Sequence, residues 1–218
     1  MTLTAPERDI DVTSRSVWSA ASMSALDRQG YSGCDVSRNL TAGLPVVVSH
    51  LTRHGFIVLA AHAASTTSVA FMVRHSSGFV QIALPRRRCE EMLLPPMNPF
   101  DIGGARMCVG VDAVRGTGTG ISAADRATTA RALVDPAAGP WDFTRPGHLV
   151  PVCVDHCDDA ETRDSAAAIA LNLIHRTEMP PGALFAELIG VTDPTRMMNH
   201  SECVEFSETH NMPLVTVH

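Results

Sequence analysis

Apolar residues in this chain come in short blocks separated by polar stretches, and two blocks near the start set the pattern. Val46-Val47-Val48 and Phe56 to Ala61 are apolar runs of strand length, divided by the polar segment Ser49-His50-Leu51-Thr52-Arg53-His54-Gly55. Asp35 to Ala42 ahead of them reads as a short helix stopped by Gly43 and Pro45. Thr66 to Arg74 has helical spacing with Val69, Phe71 and Met72 turned inward. Phe79 to Leu84 follows as a strand, and Arg86 to Leu94 as a helix ending before Pro95-Pro96. Met107 to Ala113 is strand-like and runs into a Gly/Thr-rich turn. Ser122 is placed to cap a helix over Ala123 to Leu133, with Asp125 in its first turn and Arg131 near its end.

The remainder alternates in the same way. Leu149 to Val154 reads as a strand, Asp164 to Ile174 as an Ala-rich helix and Ala183 to Leu188 as a strand. Ser201 to His210 is a helix before a closing strand, Pro213 to Val217. Irregular alternation of strands and helices predicts one α/β (or α+β) domain with a mixed sheet over residues 31–218. Residues 1–30, rich in Ser, Asp and Arg, read as an N-terminal extension or a peripheral helix.

Composition narrows the class. At 218 residues with 45% apolar and 18% charged content, the chain is an ordinary globule able to bury a core. A formal charge of -6 argues against nucleic acid as a partner. No apolar run approaches the roughly 18–20 residues that span a bilayer, and Met1 to Asp11 lacks a charged-then-apolar leader, so no membrane role and a cytoplasmic location are expected. Six scattered cysteines (Cys34, Cys89, Cys108, Cys153, Cys157, Cys203) fit reduced thiols better than a disulfide framework.

The segment Gly118-Thr119-Gly120-Ile121-Ser122-Ala123-Ala124-Asp125-Arg126-Ala127-Thr128-Thr129-Ala130, with Arg145-Pro146-Gly147-His148 downstream, resembles the signature of the 3,4-dihydroxy-2-butanone 4-phosphate synthases. Those proteins make the four-carbon unit of riboflavin from ribulose 5-phosphate. Phe71-Met72-Val73-Arg74-His75 with Gly78, Arg88-Cys89-Glu90, Leu94-Pro95-Pro96-Met97, Pro180-Pro181 with Glu187, and Glu205-Phe206 with Met212 to Val217 are similar to further family blocks in the same order. The resemblance implies an α/β homodimer whose active sites lie at the subunit interface. It also implies that His148 and Glu187 are catalytic and that Arg163, with Thr162 beside it, contacts a small-molecule ligand.

One family feature is missing. The family carries an acidic loop of the type Asp-Asp-Glu-Asp-Arg-Glu-Asn-Glu-Gly-Asp, in which a glutamate binds Mg²⁺. Here the interval Ser49 to Phe56 is two residues shorter and contains no carboxylate. Arg53 overlays the loop arginine and His54 the metal-binding glutamate, so both become candidate substrate contacts. The family's second metal ligand, a histidine, is matched by Ala166 in Thr162-Arg163-Asp164-Ser165-Ala166-Ala167-Ala168-Ile169. Mg²⁺ wants oxygen ligands, usually one or two carboxylates. No metal or other cofactor is therefore assigned, and Mg²⁺ would fit only if Glu161, Asp164, Asp158 or Asp159 supplied relocated ligands.

Each candidate has a plainer reading. His148 would be a structural histidine at a Pro-Gly turn. Glu187 has the weakest one, because an unpaired carboxylate in an apolar strand is costly. Arg53 and His54 would be an exposed loop pair, Asp125 and Arg126 would cap and brace their helix, and Glu202, Glu205 and Glu208 would form a solvated face. Cys153, His156 and Cys157 lack a second ligand pair at zinc spacing. Three functional readings remain: a diverged enzyme performing enolisation or carbon–carbon rearrangement without the usual Mg²⁺ site, a catalytically silent scaffold subunit, and a retained synthase.

Overall fold

The computed structural model describes residues 33–100, 105–155 and 164–217. The expected N-terminal extension, Thr162, Arg163, His156 and Cys157 lie outside the described residues. Among the described residues, eight strands form one mixed sheet: β1 Val46–His50, β2 Phe56–Ala60, β3 Gln81–Pro85, β4 Ala105–Met107, β5 Val111–Ala113, β6 Phe143–Val154, β7 Ala183–Glu187 and β8 Leu214–Val217. Their order is β4-β6-β3-β7-β2-β1-β8, with β5 pairing on β6. β1 runs parallel to β8 and β3 parallel to β6, whereas β2 and β7 are antiparallel to their neighbours.

Helices cover both faces, because the central strands are apolar on both sides. On one face, α1 (Gly33–Thr41) and α5 (Ala166–His175) pack on Val58, Ala183, Phe185 and Val152. On the other, α2 (Thr66–His75), α3 (Arg86–Glu91), α4 (Ala123–Val134) and α6 (His200–Thr209) cover Ile57, Leu59, Ile82 and Leu184. The helix starts follow from the sequence. Ser65, Ser122, Ser165 and Asn199 each accept a backbone N–H from the first turn, which satisfies a donor that helix geometry leaves orphaned.

Four expectations need correction. The expected strand Met107 to Ala113 is two strands, because β4 pairs with Val152–Val154 of β6 while β5 pairs with its first half across a register shift at Val111/Asp112. The expected turn at Pro146-Gly147 lies inside β6, which starts at Phe143 rather than Leu149. Proline is tolerated there because β3 pairs only from Val150 onward. Glu202 is not on a solvated face: it is buried and accepts from Arg196 at 2.6 and 2.9 Å and from the Asn199 N–H at 3.1 Å. Phe71, expected inward, is only partly buried, while Val69 and Met72 are fully enclosed.

Leu184 is completely buried on the central strand. Leu184→Ala is expected to lower unfolding free energy by about 2–5 kcal/mol with an unchanged denaturant slope, as read by urea titration.

Candidate functional site

β5 and β6 build the first half of the site. Asp112 lies on β5 between Val111 and Ala113, which point into the α2–α4–α6 core, so its carboxylate faces the other way. There it accepts two hydrogen bonds from one residue. The His148 backbone N–H donates to Oδ1 at 2.9 Å, and His148 Nδ1 lies 2.7 Å from Oδ2. A carboxylate only accepts, so Nδ1 carries a proton, and in the neutral ring Nε2 keeps the free lone pair. The Asp112 side chain is 12% exposed and that of His148 43%, so the clasp is shielded while the ring reaches solvent.

The signature turn presses against this pair. Gly120 has φ +84, and a Cβ there would collide with the Asp112 carboxylate, so only glycine fits on both counts. Asp125 folds the turn by accepting the Gly118 N–H at 3.2 Å and the Gly120 N–H at 2.9 Å. Gly118's hydrogen bond is the first of several causes holding that carboxyl below its usual range, and the nearby His148 ring adds to them. Arg126 reaches across to the Gly78 carbonyl at 2.9 Å. Asp125 and Arg126 thus brace the backbone, in keeping with their plainer reading.

β7 builds the second half. Glu187 opposes Phe56 at the end of β2, beside the β1–β2 loop, and shares the sheet face of Phe185. Burial pushes its carboxyl up to about 7. His148 is at the same end of the sheet. Gln81 of β3 pairs with Phe185 on one side and Val150 on the other, two residues short of Glu187 and His148 respectively. Two strand spacings separate them, about 10 Å between backbones.

The exposed β1–β2 loop completes this end. Arg53 donates to the Asp164 carbonyl at 3.3 Å, which ties the loop to the residue before the Ser165 cap of α5. The chain thus returns here after β6 leaves the sheet at Val154, at the opposite end beside Pro85. His54 is exposed on the same loop. Arg53, Glu187, His148 and the start of α5 therefore gather at one end of the sheet. A cavity of about 510 Å³ lies elsewhere, against α2 and α6, and its lining residues include His75, Phe206 and His210 but none of the predicted site residues.

Sequence reasoning missed Asp112. The signal was present, since Asp112 is also a lone carboxylate in an apolar strand, the pattern that singled out Glu187. The family's metal does not fit this donor set. The loop offers threonine, arginine and histidine, the first turn of α5 is alanine, and no group of three metal-ligating side chains occurs among the described residues.

A three-layer α/β/α fold with a mixed sheet, and an aspartate-held histidine at the same sheet end as a half-buried glutamate, defines the class of protein. The chain belongs to the 3,4-dihydroxy-2-butanone 4-phosphate synthase family, whose profile matches residues 35–218. It is 36% identical over 184 residues to the riboflavin biosynthesis protein RibBA of Rhodococcus jostii (strain RHA1), covering 82% of this chain and 44% of that protein. With RibBA of Salinispora arenicola (strain CNS-205) it shares 37% identity over 183 residues, 82% of this chain and 43% of the relative. The chain thus spans less than half the length of these curated relatives. Among solved structures, a 3,4-dihydroxy-2-butanone 4-phosphate synthase in complex with two magnesium ions superposes with a TM-score of 0.75 at 31% identity, covering 84% of this chain and 91% of the other. The synthase of Candida albicans gives 0.75 at 29% identity, covering 83% and 91%. No helix among the described residues is long and apolar enough to cross a membrane.

Two outcomes test the geometry. Long-range proton–nitrogen NMR of neutral His148 is expected to show the Nδ1–H tautomer, and Gly120→Ala, by displacing Asp112, to abolish it. The Glu187 carboxyl is protonated in folded and unfolded chains below its ordinary 4.5 and ionised in both above about 7. Burial therefore penalises only the ionised folded state, by about 3 kcal/mol, and stability falls as pH rises through that window. Glu187→Gln is expected to stabilise the protein by up to this amount at pH ~8 and by little at pH ~4, measured by chemical denaturation at the two pH values.

Proposed function

We propose that the protein is a diverged enzyme of its family that moves protons on a small polyhydroxylated or phosphorylated carbonyl compound without the usual Mg²⁺ site. The observation that carries this reading is the presence of two acid–base groups at one sheet end. Asp112 holds His148 Nδ1, which leaves Nε2 as the ring nitrogen free to exchange a proton. Glu187, with its carboxyl raised to about 7, exists in both protonation states near neutrality. Poised groups of this kind suit general acid–base work.

His148 Nε2 would take a proton from the carbon beside the carbonyl. The protonated Glu187 carboxyl would give one to the carbonyl oxygen, producing a neutral enediol. Proton return to the neighbouring carbon, or migration of a carbon–carbon bond, completes an enolisation or rearrangement. Arg53 would hold a phosphate or hydroxyl group, with the α5 N-terminus beside it adding N–H donors. His54, and by the family resemblance Thr162 and Arg163, extend the same binding role. No step depends on a metal, because the donor set does not suit one.

A homodimer completing the site at its interface belongs to this reading. Exposed Val114, Ile121 and Trp141 on the segments flanking β5 and β6 support it. Trp141→Glu is expected to weaken self-association at least about tenfold in sedimentation velocity.

The function is tested by carbon NMR of labelled ribulose 5-phosphate with the purified protein in deuterated buffer, with and without Mg²⁺. Solvent deuterium is expected at the carbon beside the carbonyl, without formate. The rate should fall at least about 100-fold in Glu187→Gln and in His148→Asn. Formate released in a Mg²⁺-dependent reaction would instead mean a retained synthase. Neither exchange nor formate, with this compound or related sugar phosphates, would leave the scaffold reading.

A further inference from the structure

Gln81 is the one polar residue of β3, the strand that runs between the two halves of the site. Val80 and Ile82 on either side of it belong to the α2–α4–α6 core, so its side chain projects onto the opposite face, the one α5 covers. Ala83, the next residue on that face, packs into the α5 core as expected of a central strand. Gln81 is only 7% exposed, yet its carboxamide makes no hydrogen bond among the described residues. Neither amide atom is sealed off, so the exposed part of the residue includes its polar end.

Strand register sets this amide between the two acid–base groups. Gln81 is the partner of Phe185 on β7 and of Val150 on β6. Glu187 and His148 are the next residues on the same face of those strands, both toward the end of the sheet where β3 begins. Each is a diagonal neighbour of Gln81, the arrangement that long side chains bridge over about 7–8 Å. Packing does not account for glutamine here. A buried amide without a partner costs stability, and methionine would fill the same volume without that cost. What the carboxamide adds is an N–H donor beside a C=O acceptor, uncharged at every working pH. That pair of groups is complementary to a carbonyl oxygen with a hydroxyl on the adjoining carbon.

We propose that Gln81 is a substrate-binding residue that makes the site selective for α-hydroxyketones, an inference that rests on the acid–base reading above. Its NH₂ group donates to the carbonyl oxygen and its Oε1 accepts from the neighbouring hydroxyl. The two contacts fix the reacting carbon between His148 on one strand and Glu187 on the other. The NH₂ group remains bonded to the carbonyl oxygen as negative charge grows there during enolisation, which favours that step. A ketone without the hydroxyl leaves Oε1 facing a ligand that cannot donate to it, and such a ligand binds weakly.

The test compares dihydroxyacetone phosphate with hydroxyacetone phosphate, which lacks the hydroxyl beside the carbonyl, by calorimetric titration of the full-length wild type and Gln81→Met. The wild type is expected to bind the hydroxylated compound at least about tenfold more tightly, and Gln81→Met to bind the two alike. The Gln81 side-chain NH₂ signals, assigned by their absence from the proton–nitrogen spectrum of the variant, should shift when dihydroxyacetone phosphate is added. Urea titration should find Gln81→Met at least as stable as the wild type, since no native hydrogen bond is lost. A less stable variant would reveal a structural partner for the amide and overturn the proposal. So would equal affinity of the wild type for the two compounds, or no binding of either. In the ribulose 5-phosphate exchange assay, Gln81→Met should lose at least about tenfold in kcat/KM. Selective binding through Gln81 with no exchange by the wild type would sink the acid–base reading and leave this one standing. Exchange that Gln81→Met does not slow would do the reverse.

Discussion

The site depends on one strand that serves three neighbours. The second half of β6 is enclosed between β3 and β4, while its first half leaves β3 and pairs with β5 alone. That change of partners lets a proline and a glycine sit inside a strand. The packing there is tight. A Cβ on Gly147 would collide with the β5 backbone at Val111 and Asp112, so the two strands approach as closely as backbones can. Close approach brings the Asp112 carboxylate under both the N–H and the ring of His148. Register, glycine and carboxylate are therefore one constraint, and the signature turn presses on it from outside through Gly120.

Glu187 shows the opposite economy. Nothing among the described residues neutralises it, and burial alone raises its carboxyl to about 7. A chain selected only for stability would place an apolar residue at the end of β7, as it does at the other four positions of that strand. Keeping a carboxylate there destabilises the folded state at neutral pH and yields a group that exchanges protons readily. This tension between stability and reactivity is what marks functional carboxylates physically.

Membership of a family does not settle chemistry, because chemistry lives in particular side chains. The sheet and its helices are those of a synthase fold. The loop that should supply hard oxygen ligands carries histidine, threonine and arginine instead. A fold held by two cores, one on each face of the sheet, tolerates such replacement well. The loop is exposed and contributes no large side chain to either core.

By itself the sequence determined the α/β class, the existence and order of nearly every element, and the standing of His148 and Glu187 as candidates. These depend on local signals: periodicity, capping residues and an isolated carboxylate in an apolar run. Local signals misjudged β6, where Pro146 and Gly147 read as a turn, and Glu202, which read as solvated until Arg196 was seen to fold onto it. Only the tertiary structure decided that Asp112 clasps His148 and that Arg53 reaches the start of α5. Each of these joins residues distant in the chain, and such contacts follow from strand register and helix docking, which no spacing within a single segment encodes.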